Sequence, residues 1–214
     1  MASHQFLKKN RRQGGYTIVE LAIAVSIVAV LIVAGLTGVQ SILTGNKVSK
    51  QLQTTAKLSA RISSAFGGNT ATTGITLAQM ANLNGWDPSQ VVRNAAGAVT
   101  NVISAFGTQE FVATNTEVVG PAPVNSSIVY TITNVPRAGC ADFASGLANI
   151  AYAIAVFDGS AAGVTAPRAQ AADHWTVAGT TVKRPENNID LAAVAARCNT
   201  NNIASFDFAI ALKP

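Results

Sequence analysis

Apolar and polar positions along the chain fall into three regimes. From Leu21 to Leu36 (LAIAVSIVAVLIVAGL) no side chain is charged and only Ser26 is polar. With Tyr16 to Glu20 ahead of it, this run reaches about 20 residues, the length of a bilayer-spanning helix. Beyond it the pattern becomes two-sided. Val39, Ile42, Leu43, Val48, Leu52, Ala56, Ile62 and Phe66 recur mostly three or four apart, with Lys47, Lys50, Lys57 and Arg61 between them. That spacing predicts an amphipathic helix continuing the first, its stripe serving as core under a globular head. No proline interrupts Tyr16 to Phe66, roughly 75 Å of helix, and Gly67-Gly68 supplies a stop.

The third regime, about residues 69–214, alternates short signals. A Thr/Gly-rich linker (Asn69 to Gly74) leads to a short helix near Leu77 to Leu83, and Trp86-Asp87-Pro88-Ser89-Gln90 reads as an N-cap with proline at the first helical position. Strands are predicted at Val99 to Phe106, Phe111 to Val119, Ile128 to Val135, Trp175 to Lys183 and Phe206 to Leu212, punctuated by Pro121, Pro123 and Pro136. A helix is predicted between Cys140 and Phe157, with Phe143, Leu147, Ile150, Ala151 and Ile154 on one face, and another at Asp190 to Arg197. The sum is an α+β head, a largely antiparallel sheet packed on the long helix.

Charge changes the picture once it is located. The chain of 214 residues carries a formal +5, but Lys8, Lys9, Arg11 and Arg12 all fall in the first 15 residues with no acid among them. The remainder holds eleven basic against ten acidic residues, too balanced for a phosphate-binding surface built on many Lys/Arg contacts, so nucleic acid is not the expected partner of the bulk of the chain. A basic stretch before an apolar run reads as a cleaved secretory signal, a transmembrane anchor or a buried core helix. Four clustered basic residues disfavour the core helix; the length of the run and the absence of a small-x-small site after it disfavour the secretory signal.

One residue fits none of these. Glu20 stands inside the apolar run, where an ionisable side chain is costly unless partnered, and is functional by default. It closes the sequence Gln13-Gly14-Gly15-Tyr16-Thr17-Ile18-Val19-Glu20: a basic leader ending in glycine, an aromatic, then a glutamate at the fifth place after that glycine. This resembles the processing site of type IV pilins and related pseudopilins. The resemblance implies that a membrane-embedded prepilin peptidase cuts after Gly15 on the cytoplasmic side and methylates the new terminus at Tyr16. It also implies that Glu20 compensates the terminal charge of a neighbouring subunit in a filament. A local reading stands beside that one: a carboxylate in the first turn favours the helix dipole and can meet its own chain's amine.

Within that family the leader ending at Gly15 and the large head look like the IVb class, the conjugation-type group closest. Tyr16 departs from the usual first residue of either class. Thr37 stands where IVa pilins place a helix-breaking proline; Gly35 and Gly38 flank it, and each glycine weakens a helix by about 1 kcal/mol. The stretch 35–38 is therefore expected to yield when the helix enters a filament. The resemblance divides the chain into a cleaved leader (1–15), a membrane-spanning and filament-core half of the helix (16–38), its amphipathic half (39–66) and a periplasmic head (69–214).

Cys140 and Cys198, the only two cysteines, lie in the part an inward-held leader exports. An even count there argues for a disulfide in an oxidising compartment, with two buried free thiols as the other reading. Pilins of this family carry such a bridge, which here bounds a region 140–198. Elsewhere chemistry is sparse. There is no His-Glu-x-x-His, Cys-x-x-Cys, phosphate-binding loop or Gly-x-Ser-x-Gly elbow. His4 falls in the leader, Asp173-His174 reads as an exposed loop, Ser126 and Ser127 have no evident base, and Arg168, Lys183 and Arg184 read as solvated charges. No enzyme, metal or cofactor is expected.

The reading is a structural protein, the major subunit of a type IV pilus. It is held in the inner membrane of a Gram-negative cell as a precursor, then moved by an inner-membrane assembly platform into a homopolymer of identical subunits used for adhesion, aggregation or DNA transfer. A type II secretion pseudopilin or minor pilin shares the motif. A membrane-anchored periplasmic binding module requires Gly15 uncut and Glu20 incidental.

Overall fold

The computed structural model describes residues 16–66, 75–114, 126–159 and 180–212. Two compact units divide the chain, Met1–Ser41 and Ile42–Pro214. One helix, α1 (Ile18–Phe66, 49 residues), runs through both without a break. In the first unit its large side chains stay exposed, Val30 at 69% and Leu31 at 65% among them. The helix is long and apolar enough to cross a membrane.

In the second unit α1 buries Val48, Gln51, Thr55, Leu58 and Ile62, with Thr44 and Phe66 half-buried at either end. The spacing of three and four is the one expected. Its membership is not: Ala56, Val39, Ile42 and Leu43 are exposed, while Gln51, Thr55 and Leu58 take core positions. Hydrophobicity alone cannot register a buried glutamine or threonine, whereas Leu58, four residues before Ile62, fits an apolar stripe at helical spacing.

The rest of the head runs α2 (Leu77–Asn82), a 3-10 turn (Pro88–Gln90), β1 (Val91–Arg93), β2 (Val99–Val102), β3 (Phe111–Thr114), β4 (Ile128–Pro136), α3 (Arg137–Gly146), β5 (Ala153–Asp158), β6 (Thr181–Lys183), α4 (Leu191–Cys198) and β7 (Ser205–Leu212). Strands β1 and β2 form a hairpin; the others form a five-stranded antiparallel sheet ordered β3-β4-β7-β5-β6. Alternation assigns its two faces. Ile128, Tyr130, Ile132, Ile154, Val156, Phe206, Phe208, Ile210 and Leu212 join the cluster that contains Val48, Leu58 and Ile62 of α1 and Phe143 of α3. Val129, Ala153, Ala155, Ala209 and Ala211 pack together on the opposite face. In β4 the ladder shifts register between Ile132 and Val135, where Asn134 takes a φ of 59° and donates its N–H to the buried Asp207 carboxylate at 3.0 Å. Asn tolerates that left-handed backbone better than most residues.

Several expected elements are corrected. The helix from Cys140 to Phe157 ends at Gly146, and β5 follows a turn. Ile150, Ala151 and Ile154 satisfy a helical period, but Ile154 and Val156 against Ala153 and Ala155 also satisfy a strand period, and pairing with β7 decides between them. The strand from Val99 to Phe106 stops at Val102, since Ser104 Oγ accepts the N–H groups of Phe106 and Thr108 in a tight turn closed by Gly107 at φ 86°. Asp87 makes no cap bond; its carboxylate pairs instead with Lys57 at 3.0 Å. The three-residue β1 was not expected at all. The helix at Leu77 carries a capping box between Thr76 and Gln79, and Asp190 caps α4. The linker 69–74, residues 115–119 of one expected strand and 175–179 of another lie outside the described residues.

Helix α3 approaches α1 closely at two glycines. A Cβ on Gly139 would stand 2.7 Å from Val48 Cγ2 and 3.1 Å from Thr44 Cγ2, and one on Gly146 would meet Leu52. Gly45, on α1 itself, faces open space. Gly139→Leu is therefore expected to lower stability by about 1–3 kcal/mol through overpacking, and Gly45→Ala to raise it by up to about 1 kcal/mol through helix propensity. Thermal unfolding followed by circular dichroism checks both; a Gly139→Leu protein as stable as the parent would refute the close approach.

Candidate functional site

The amino-terminal end of α1 is built around Glu20. Thr17 N–H and Thr17 Oγ1 both donate to Glu20 Oε2 at 3.0 Å. Glu20 N–H donates to Thr17 Oγ1 at 3.3 Å, and Leu21 N–H to Thr17 O at 3.1 Å. This is a reciprocal capping box with Thr17 at the cap and Glu20 three residues on. Within its own chain, then, Glu20 bonds Thr17 and caps the helix. Its second oxygen, Oε1, has no hydrogen-bond partner among the described residues. Tyr16 is 87% exposed beside it, and Gly15 lies outside the described residues. Farther along, α1 is continuous through Gly35 and Gly38, and a Cβ at either would touch nothing within 4 Å.

In the head, Cys140 of α3 and Cys198 of α4 form a disulfide, their Cα atoms 5.7 Å apart. Closing a loop of 58 residues restricts the unfolded chain by about 4 kcal/mol on the chain-entropy argument. Arg197 reinforces the join: its guanidinium meets Asp158 at 2.8 Å, and its Nε donates to Val156 O at 3.0 Å.

Residues 10–36 match the prokaryotic N-terminal methylation motif. Among solved structures the chain is similar to TcpA, a type IV pilin from Vibrio cholerae El Tor biotype, with TM-score 0.52 and 14% identity over 78% of this chain and 98% of that one. The chain has the type IV pilin fold. It is also similar to the type IV b pilin from Salmonella typhi, with TM-score 0.47 and 15% identity over 78% of this chain and 97% of that one. No curated protein sequence matches the chain. The pilin fold is that of a structural-protein family.

The remaining expected residues fall into place or outside it. His4, Arg168 and Asp173-His174 lie outside the described residues. Ser126 and Ser127 are buried ahead of β4. Lys183 is not the solvated charge expected: its ammonium donates to the carbonyls of Ala148 and Ala151, the latter at 2.6 Å, and burial lowers its pKa. Among the described residues no three His, Cys, Asp or Glu side chains gather as metal ligands.

Sequence reasoning missed the most unusual polar group of the pilin head. Glu110 is fully buried. Its Oε1 accepts from Gln51 Nε2 at 2.7 Å and its Oε2 from Trp86 Nε1 at 2.5 Å, and the Tyr130 hydroxyl also bonds the carboxyl. Gln51 Nε2 reaches Tyr130 Oη at 2.9 Å as well, and Gln51 Oε1 accepts from Ala105 N–H at 2.8 Å. One glutamine of α1 thereby ties the helix to three separate parts of the head. The available signal was weak: Glu110 is the one acid between Asp87 and Glu117, in an otherwise neutral stretch.

Burial raises the Glu110 pKa from 4.5 to about 7, with the bonds from Tyr130, Gln51 and Trp86 opposing the rise. A folded pKa above the unfolded one means that the folded head holds the proton more tightly. The resulting stabilisation is complete below about pH 4.5 and is lost as pH rises through about 7. The difference is on the order of 3 kcal/mol. Thermal unfolding of the detergent-solubilised chain is expected to show this fall in stability between pH 5 and 8, and Glu110→Gln to remove the slope. An unchanged slope in that variant would assign it to other groups.

Proposed function

We propose that this chain is the major subunit of a type IV pilus of the IVb class. In this reading prepilin peptidase cleaves after Gly15 and methylates the amine of Tyr16, while the apolar half of α1 anchors the precursor in the inner membrane of a Gram-negative cell. An inner-membrane assembly platform then transfers the subunit into a helical homopolymer, where the same apolar surface packs on identical subunits. The heads form the outer face of a filament used for adhesion, aggregation or DNA transfer. The observation that carries the proposal is an exposed apolar helix headed by the methylation motif and joined to a pilin-fold head.

The intersubunit role of Glu20 draws support from its geometry. One carboxylate oxygen holds the capping box, and Oε1 stays open to a second donor. In a filament interior of low dielectric, a cationic terminal amine of the next subunit fits that oxygen. The Gly35 to Gly38 stretch is proposed to yield on assembly, since the two glycines weaken the helix and a Cβ at either would touch nothing within 4 Å.

Glu20→Gln separates the two roles. The amide oxygen preserves the cap to Thr17 and removes the charge. The variant is expected to be cut after Gly15 as the parent is, by mass spectrometry of the mature terminus, yet to yield no filaments on shearing. Normal filaments from Glu20→Gln would reduce Glu20 to a helix cap. Sheared parent filaments composed mostly of this chain identify a major pilin, and trace amounts a minor pilin or pseudopilin. In a filament density map, unbroken helix through 35–38 would refute the yielding stretch.

A further inference from the structure

Lys47 and Lys50 lie three residues apart on α1, so their side chains share one face. They rim a groove of about 510 Å³ whose walls include Leu43 and Asn46 of α1 and Ser89 and Ile103 of the β1–β2 region. Both lysines are exposed, and neither has an ion pair or a side-chain hydrogen bond among the described residues. Asn46 and Ser89 side chains are likewise uncommitted. Lys57, two turns on, differs in being neutralised by Asp87 at 3.0 Å. From Leu21 to Phe66 the helix carries no acid at all. The groove is therefore a cationic, hydrogen-bonding rim beside two apolar side chains.

Its position along the helix selects the occupant. Ile42 and Leu43 are exposed apolar residues, 65% and 53% accessible, and Lys47 follows Leu43 by one turn, a rise of about 6 Å. A helix that leaves a bilayer near Leu43 brings both ammonium groups to the depth of the lipid phosphates. Lysine stems there lie along apolar surface while their charges reach the headgroups.

We infer that this groove holds the headgroup of an anionic phospholipid while the subunit is still in the membrane. The phosphate sits between Lys47 and Lys50, Asn46 and Ser89 donate to its oxygens, and Leu43 and Ile103 border the glycerol end. The inference rests on the proposed membrane anchorage of α1. It gives the head a fixed seat on the bilayer surface before assembly, one that a subunit must leave on entering the filament.

The test uses the full chain in nanodiscs of phosphatidylcholine alone or with phosphatidylglycerol, and measures acylation of individual lysines by mass spectrometry. Phosphatidylglycerol is expected to slow acylation of Lys47 and Lys50 about fivefold or more and to leave Lys57 unchanged. The Lys47→Gln/Lys50→Gln double variant, altered only at exposed positions, is expected to retain less phosphatidylglycerol by native mass spectrometry. Equal reactivity in both bilayers overturns the inference. So does the same protection from millimolar inorganic phosphate in lipid-free micelles, which identifies a free-anion site. Protection that follows the number of chains per disc rather than the lipid overturns it in favour of a second copy. A chain recovered without lipid defeats the anchorage itself, a separate failure.

Discussion

An apolar helix that its own chain leaves exposed sets the terms for everything else in this molecule. Water is the one environment that the first half of α1 does not suit, because each large aliphatic side chain kept from water contributes about 1.5–3 kcal/mol. Lipid and other copies of the same helix both satisfy it, and neither gives lasting specificity by hydrophobicity alone. The polar features the rod offers for specificity include Glu20 in its first turn and the lysines past Leu43.

The head solves a different problem with the same helix. Below Ser41 the rod needs a fixed register against a sheet, and aliphatic packing alone tolerates slippage by a turn. Gln51 removes that tolerance. Its amide engages Glu110, Tyr130 and the Ala105 N–H together, and a shift of one helical turn would leave a buried carboxyl short of a donor. Leaving a buried polar group unsatisfied costs about 1–3 kcal/mol, more when charged. Gly139 and Gly146 act in the same direction, since α3 can lie against Thr44, Val48 and Leu52 only where no side chain intervenes.

Much of this was legible in the sequence, unevenly. The long helix, the strands at 128 and 206, the Cys140–Cys198 pairing and the motif ending in Glu20 were readable because each rests on a strong local signal: an uncharged run, alternation, an even cysteine count, a fixed spacing. The helix expected across Cys140 to Phe157 failed past Gly146, where alanines and isoleucines fit two periods at once and only the partner strand decides. The Gln51–Glu110–Trp86–Tyr130 cluster was illegible because its members are separated by up to 79 residues, and a glutamine or glutamate carries no sign that it will be buried. Lys183 escaped for the same reason, its carbonyl partners lying more than thirty residues upstream.

The strand order β3-β4-β7-β5-β6 has a consequence for how the head is made. Its middle strand comes from residues 205–212, the most distant stretch in sequence, and it bridges β4 to β5. The earlier strands have no finished sheet to join until β7 arrives, and its pairings with β4 and β5 are non-local in sequence, which slows folding. A head still lacking that strand exposes the edges of both β4 and β5, an invitation to pairing with other chains. The sheet is therefore continuous only once residues 205–212 have taken their place between β4 and β5.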